Sequence, residues 1–207
     1  MNMTASIKHQ ESLDMESSVL DLEKLESFLS TRQPRLLIDP TLTPASVLLL
    51  LYPDIDEMCV LLTKRTSKVE HHKGEISFPG GAWDPDDAGS KETALRETYE
   101  ELGVVPDDVR ILGELDGVAT RTNFAISTFV GSISYPYRFV PSKIEVAELL
   151  KVPLTTLRKS QEANRAYFLV STHSDQQYTY TYKRHTIFGA TARILNQFLE
   201  ILDTAEI

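Results

Sequence analysis

Three glutamates fall within five residues in the segment Arg96-Glu97-Thr98-Tyr99-Glu100-Glu101-Leu102. On a helix, at about 100° per residue, Glu97, Glu100 and Glu101 share an arc of roughly 100°. Leu95, Thr98 and Leu102 take the opposite side, where packing against a sheet would anchor the helix. Carboxylates at i and i+4 repel one another by a few tenths of a kcal/mol. A hard divalent cation relieves that repulsion, and oxygen ligands are what Mg²⁺ and Mn²⁺ favour. Arg96 lies one turn from Glu100, in place to orient a carboxylate by a charge-assisted hydrogen bond. A solvated acidic face would carry the same residues, but Phe78-Pro79-Gly80-Gly81 stands just upstream. Paired glycines permit positive φ and close backbone approach, which suits a cradle for phosphate or substrate.

The elements that must hold these groups are legible in outline. Residues 90–102 are predicted as the acidic helix, with Ser90 as N-cap and Gly103 at its C-terminal end. Residues 75–78 form a short strand that stops at Pro79-Gly80-Gly81, and the polar loop 84–89 joins it to the helix. The apolar run 45–52, bounded by Pro44 and Pro53, reads as a buried strand, with 58–63 as its partner across a turn at 54–57. Residues 109–115 and 124–133 read as further strands, and 145–152 as a strand or bent connector. Residues 166–171 and 178–182 suggest a hairpin around 173–177. Helical spacing marks 17–29, capped by Ser17 or Ser18, and 188–202, with Ala192, Leu195, Phe198, Leu199 and Leu202 on the inner face. The sum is a mixed α/β single domain.

A chain of 207 residues fits one ordinary domain with a short extension. At this length burial of about two-thirds of the unfolded surface makes a disulfide or structural metal unnecessary. Cys59, the single cysteine, sits in the apolar run Met58 to Leu62 and reads as a buried small hydrophobe. A net charge of -9 argues against a nucleic-acid polymer as partner. It leaves room for a small phosphorylated ligand, because a bound cation reverses the local field. No stretch approaches the ~20 apolar residues of a membrane span, and residues 1–17 carry no secretion pattern. No membrane partner and a cytoplasmic location are the expectations.

Gly80-Gly81, Arg96-Glu97, Glu100-Glu101 and Gly103-Val104 together resemble the Nudix box, GX5EX7REUXEEXGU with U apolar. Thr98 stands at the first U. In strict register the upstream Gly and Glu positions hold Ala82 and Ala88; Gly81 and Asp87 fit if the loop is one residue longer, with Asp84 and Asp87 as candidates for the upstream acid. Leu61-Leu62-Thr63-Lys64-Arg65-Thr66, Gly74 and Phe78-Pro79-Gly80-Gly81 are similar to the segment preceding the box in coenzyme A diphosphatases, roughly LLTXR(S/A)X3RX3GX3FPGG. Glu70 occupies the place of its second Arg, and Thr66 that of its Ser or Ala. The resemblance runs from about residue 45 to residue 202.

That resemblance implies an α/β fold, a Nudix-like α/β/α sandwich around a central mixed β-sheet, over residues 43–207. Residues 1–42 would form an N-terminal tail and helix. It implies a Mg²⁺- or Mn²⁺-dependent diphosphatase with Glu97, Glu100 and Glu101 as metal ligands. The catalytic set would be Glu100 and Glu145, as candidate general bases, with Arg96. Substrate would be bound by Arg65, Gly80, Gly81 and His72. His72 and His185 suit structural or substrate-proximal roles better than metal ligation. Lys64, Arg65, Lys68, Lys73 and Arg121 are the cations available to a 3'-phosphate. The implied substrate is coenzyme A or acyl-coenzyme A. Alternatives are ADP-ribose, NADH or another nucleotide derivative, or a catalytically silent binding module. A homodimer is a further expectation, with residues 17–29 covering the sheet or forming the contact.

Overall fold

A computed structural model describes residues 20–55, 57–67, 74–170 and 178–207, without side-chain detail for 166–170. The expected His72, the Ser17/Ser18 cap, the basic Lys68 and Lys73, Glu70 and the turn 173–177 lie outside the described residues. Helix α1 spans Leu22–Thr31, and Asp21, not a serine, caps it by accepting the Lys24 N–H at 3.0 Å. The strands β1 (Thr43–Asp54) and β2 (Glu57–Arg65) follow, then β3 (Ile76–Ser77) and β4 (Gly80–Ala82). The paired glycines therefore do not end the sheet. They add a strand to it: Gly80 and Gly81 pair antiparallel with Val47 and Ser46 of β1.

The acidic helix α2 spans Ser90–Leu102. Its N-cap is Gly89, which makes no side-chain cap bond, and Ser90 is the first helical residue instead of the cap. Gly103 ends the helix at φ 69°, ψ 21°, the left-handed conformation that glycine takes without strain. Beyond a short 3₁₀ turn come β5 (Arg110–Glu114), β6 (Val118–Ala119), β7 (Phe124–Ser132) and β8 (Val146–Pro153). Helix α3 then runs Leu154–Val170. The predicted hairpin of 166–171 with 178–182 is thus corrected. Residues 166–170 continue a helix, and β9 (Tyr180–Tyr182) pairs with β10 (His185–Ile187) across a two-residue turn at Lys183, φ 53°. Helix α4 (Gly189–Thr204) closes the described chain. Among the described residues no helix is long and apolar enough to cross a membrane.

Strand β1 lies at the centre of the eight-stranded sheet. It pairs in parallel with β7 on one side, and antiparallel on the other with β4 through its first residues and β2 through its last. Both faces of β1 are covered, which explains a near-continuous apolar run where a half-exposed strand would alternate. Leu49 and Leu51 join a core with Leu25 and Leu29 of α1, Leu154 and Leu157 of α3, and Leu195, Phe198 and Leu199 of α4. Leu48, Leu50 and Tyr52 join a second core with Leu61 of β2 and with Ala94 and Leu102 of α2. Among the described residues, three helices on one face and one on the other make an α/β/α sandwich around a mixed sheet, and α2 has its own side of that sheet.

Candidate active site

Burial of Ala94, Thr98 and Leu102 presses one side of α2 onto the sheet, and the glutamates stand along its other flanks. They do not share one environment. Glu101 is 2 % exposed, Glu97 is half-buried, and Glu100 is 50 % exposed at its side chain. Arg96 links the outer two: its Nη1 donates to Glu97 Oε1 at 2.8 Å and to Glu100 at 3.3 Å. The guanidinium is itself fixed by Asp87, with Nε to Oδ1 at 2.8 Å and Nη2 to Oδ2 at 3.0 Å. Asp87 also accepts the hydroxyl of the fully buried Thr93 at 2.8 Å and the Asp84 N–H at 3.1 Å. The hydrogen bond from Arg96 leads the effects that hold the Asp87 carboxyl well below the ordinary carboxylate range, against the opposing cost of burial. Of the two upstream acids considered from sequence, it is Asp87 that meets Arg96.

Glu101 turns the other way, toward β2. Thr63 Oγ1 donates to its Oε2 at 3.3 Å, and Arg65 Nη1 stands 3.5 Å from its Oε1. Burial pushes the Glu101 carboxyl up to about 8, with Glu145 and Glu97 adding repulsion and Arg65 and Thr63 opposing it. Burial likewise raises Glu97; Arg96 opposes that rise, while Glu100 and Glu145 add to it. Glu145, 44 residues beyond Glu101 in the chain, is therefore near enough to act electrostatically on both carboxylates. A loop anchors it: its carbonyl accepts the Thr66 N–H at 2.8 Å, and its own N–H donates to Ser142 at 3.3 Å.

The glycine pair fits against this cluster. A Cβ on Gly81 would stand 2.5 and 2.6 Å from the two Glu97 carboxylate oxygens, so only glycine lets β4 lie flush against Glu97. Of the sequence-predicted residues, the structure thus brings together Glu97, Glu100, Glu101, Arg96, Gly81, Arg65 and Glu145. Gly80 lies at φ 151° with its back to Ser46 and Val47, on the β1 side. Sequence reasoning missed Thr63 as a partner of Glu101; strand alternation from Arg65 was the signal that could have found it. Two cavities, of about 360 and 450 Å³, are lined by other residues and reach none of these carboxylates.

The carboxylates fit a hard cation by their chemistry: oxygen donors only, on one helix, held near one another at a cost in repulsion that a divalent ion offsets. Among the described residues, no three acidic, histidine or cysteine side chains converge closely enough to form a ready-made cage. Glu97 is turned onto Arg96, and Glu101 onto Thr63 and Arg65.

Known proteins are similar to this chain in sequence. The chain is 36% identical over 149 residues to an uncharacterized Nudix hydrolase, NudL, of Pectobacterium atrosepticum, covering 70% of this chain and 76% of that one. It is 32% identical over 200 residues to Nudix hydrolase 3 of Caenorhabditis elegans, covering 88% of this chain and 83% of the relative. A crystal structure of a MutT/nudix family protein from Enterococcus faecalis superposes with a TM-score of 0.49 at 16% identity, over 89% of this chain and 70% of that one. The family model of the NUDIX domain matches residues 42–170, a span that includes β1, the glycine pair, the whole acidic helix and Glu145. The chain belongs to the Nudix hydrolase family.

Proposed function

We propose that this Nudix hydrolase opens the diphosphate of coenzyme A or an acyl-coenzyme A. The products are 4'-phosphopantetheine, or its acyl form, and adenosine 3',5'-bisphosphate. One observation carries the reading. The two described parts of the segment that is similar to the coenzyme A diphosphatase signature both border the acidic helix. Arg65 ends β2 at 3.5 Å from Glu101, and Gly81 lies against the Glu97 carboxylate. The segment thus borders the carboxylates at which the diphosphate would be opened.

In this proposal Glu97, Glu100 and Glu101 hold Mg²⁺ or Mn²⁺. When bound, the ion supplies charge neutralisation at the diphosphate oxygens and acidifies water. The chain does the rest. Arg96, locked by Asp87, keeps Glu97 and Glu100 directed outward from α2. Gly80 and Gly81 would border the substrate, and His72 keeps the substrate-binding role that the resemblance implies. A water attacks one phosphorus and gives its proton to a carboxylate, and the bridging P–O bond opens to leave two phosphate monoesters. Glu145 is the better base of the two candidates, because Glu100 is already engaged by Arg96, whereas Glu145 reaches the cluster from a separate loop. A homodimer belongs to the same proposal and is read by sedimentation.

The test is turnover by purified protein with Mg²⁺ or Mn²⁺, offered coenzyme A beside ADP-ribose, NADH and diadenosine polyphosphates, with products resolved by chromatography. Dominant release of adenosine 3',5'-bisphosphate from coenzyme A is expected. Preference for another nucleotide would discard the coenzyme A assignment and keep the diphosphatase. No turnover of any would favour a silent binding module.

A further inference from the structure

The segment Thr63-Lys64-Arg65 lies in β2, and the residues that flank it show which way each side chain goes. Val60 and Leu62 belong to the core under α1, α3 and α4, while Leu61 belongs to the core under α2. Strand alternation therefore sends Thr63 and Arg65 to the α2 side. Both arrive at the same carboxylate. The Thr63 hydroxyl, 1 % exposed, donates to Glu101 Oε2 at 3.3 Å, with the Ser77 carbonyl at 3.5 Å as a second acceptor. Arg65 Nη1 lies 3.5 Å from Glu101 Oε1. The ladder to β8 shifts register here, with Lys64 opposite Glu148 and Arg65 opposite Val146. Each Glu101 oxygen thus has its own donor, and together the two resist rotation of the carboxylate about its last bond.

We propose that Thr63 and Arg65 are positioning residues for Glu101, setting the orientation in which that carboxylate meets its cation, and that Arg65 is not a reader of the nucleotide. The inference rests on Glu101 being a metal ligand, as argued under Proposed function. The Thr-x-Arg spacing then has a physical reason, since two donors two residues apart on one strand can hold both oxygens of one buried carboxylate. The intervening Lys64 falls on the other face, away from Glu101.

The test is Mn²⁺ binding by the full chain without substrate, read from the electron paramagnetic resonance signal of free Mn²⁺, with the metal-free thermal midpoint recorded for each variant. Thr63→Val should weaken Mn²⁺ binding by about 10-fold, the lower end of the effect of losing an orienting hydrogen bond on a metal ligand, and Thr63→Ser should restore most of it. Arg65→Met, at the partly exposed end of β2, does not threaten the core and serves as the second variant. It should also weaken binding, and at saturating metal it should lower kcat and leave KM unchanged. Its sign is informative, because removing a positive charge beside a cation site would by Coulomb's law alone tighten binding. Glu101→Gln is the control. If it loses Mn²⁺ while Thr63→Val and Arg65→Met bind it as the parent does, or if Arg65→Met raises only KM, the positioning role is overturned and the metal site stands. If Glu101→Gln binds Mn²⁺ unchanged, the metal site falls and the positioning role falls with it.

Discussion

Gly80 and Gly81 are adjacent in sequence and serve different ends. A Cβ on Gly81 would run into the far end of the Glu97 side chain, which can swing aside. Gly81→Ala should therefore fold almost normally and displace Glu97, with turnover falling by about 100-fold, the effect of an ångström-scale misplacement of a reacting group. A Cβ on Gly80 would instead meet the backbone carbonyl of Ser46 and the Cα of Val47, at φ 151°. Gly80→Ala should cost about 1–3 kcal/mol from the backbone conformation alone, visible as a lowered denaturation midpoint. Equal loss of stability in the two variants would contradict this division. Cys59 gives a third residue-level expectation. It is 4 % exposed, and burial leads the effects that push its thiol up to about 11. Native protein at pH 8 should resist alkylation that unfolded protein accepts, as mass spectrometry would read; rapid native modification would contradict the burial.

At the scale of elements, the joint between α1 and the sheet hangs on Asp116. Its carboxylate accepts the Arg35 N–H at 2.9 Å and Arg35 Nε and Nη2 at 3.1 and 3.0 Å, and Arg32 also donates to it. The Asp116 N–H donates to Gln197 of α4 at 3.1 Å, so one residue ties α1, its outgoing link and α4 together. Burial alone would raise this carboxyl, but the Arg35 hydrogen bonds and the Arg32 charge outweigh it and hold it below its ordinary value. A depressed folded pKa stabilises above the unfolded carboxylate range and is lost as pH falls through the folded value. Asp116→Asn should thus cost about 1–3 kcal/mol at pH 7, and the gap to the parent should close on acidification. A gap that widened toward low pH would contradict the assignment.

The elements also show what a sequence discloses. The acidic helix was legible to its last residue, because its apolar side, its carboxylates and Gly103 are all local signals. The long buried β1 was legible from its apolar run. The Tyr167-Phe168-Leu169-Val170 run has the composition of a strand, yet it continues a helix already committed to the core by Leu154 and Leu157. Tyr180–Tyr182 then pairs forward with His185–Ile187, across a turn whose positive φ falls on a lysine and gives no glycine cue. The parallel pairing of β1 with β7, which brackets everything between them, is non-local and leaves no periodicity. In the site, the helix carboxylates and Arg96 were read from spacing. Thr63 went unread because a buried threonine on a strand is ordinary until a carboxylate is found beside it.

For the whole molecule, a net charge of -9 together with a cluster of mutually repelling carboxylates means that the divalent cation of the proposed function would be a stabilising ligand as well as a reagent. A cation that binds the folded chain and not the unfolded one stabilises it by mass action. At 100 times its dissociation constant Mn²⁺ should therefore add about 2.7 kcal/mol of stability, read as a concentration-dependent rise in thermal midpoint. The most direct measurement is diphosphate hydrolysis with Mg²⁺ by the parent chain and Glu101→Gln side by side, with thermal unfolding run on both. Metal-dependent release of two phosphate monoesters is expected from the parent, with near-complete loss in a variant that still unfolds cooperatively. A folded Glu101→Gln variant turning over at the parent's rate would contradict the assignment of the chemistry to this helix.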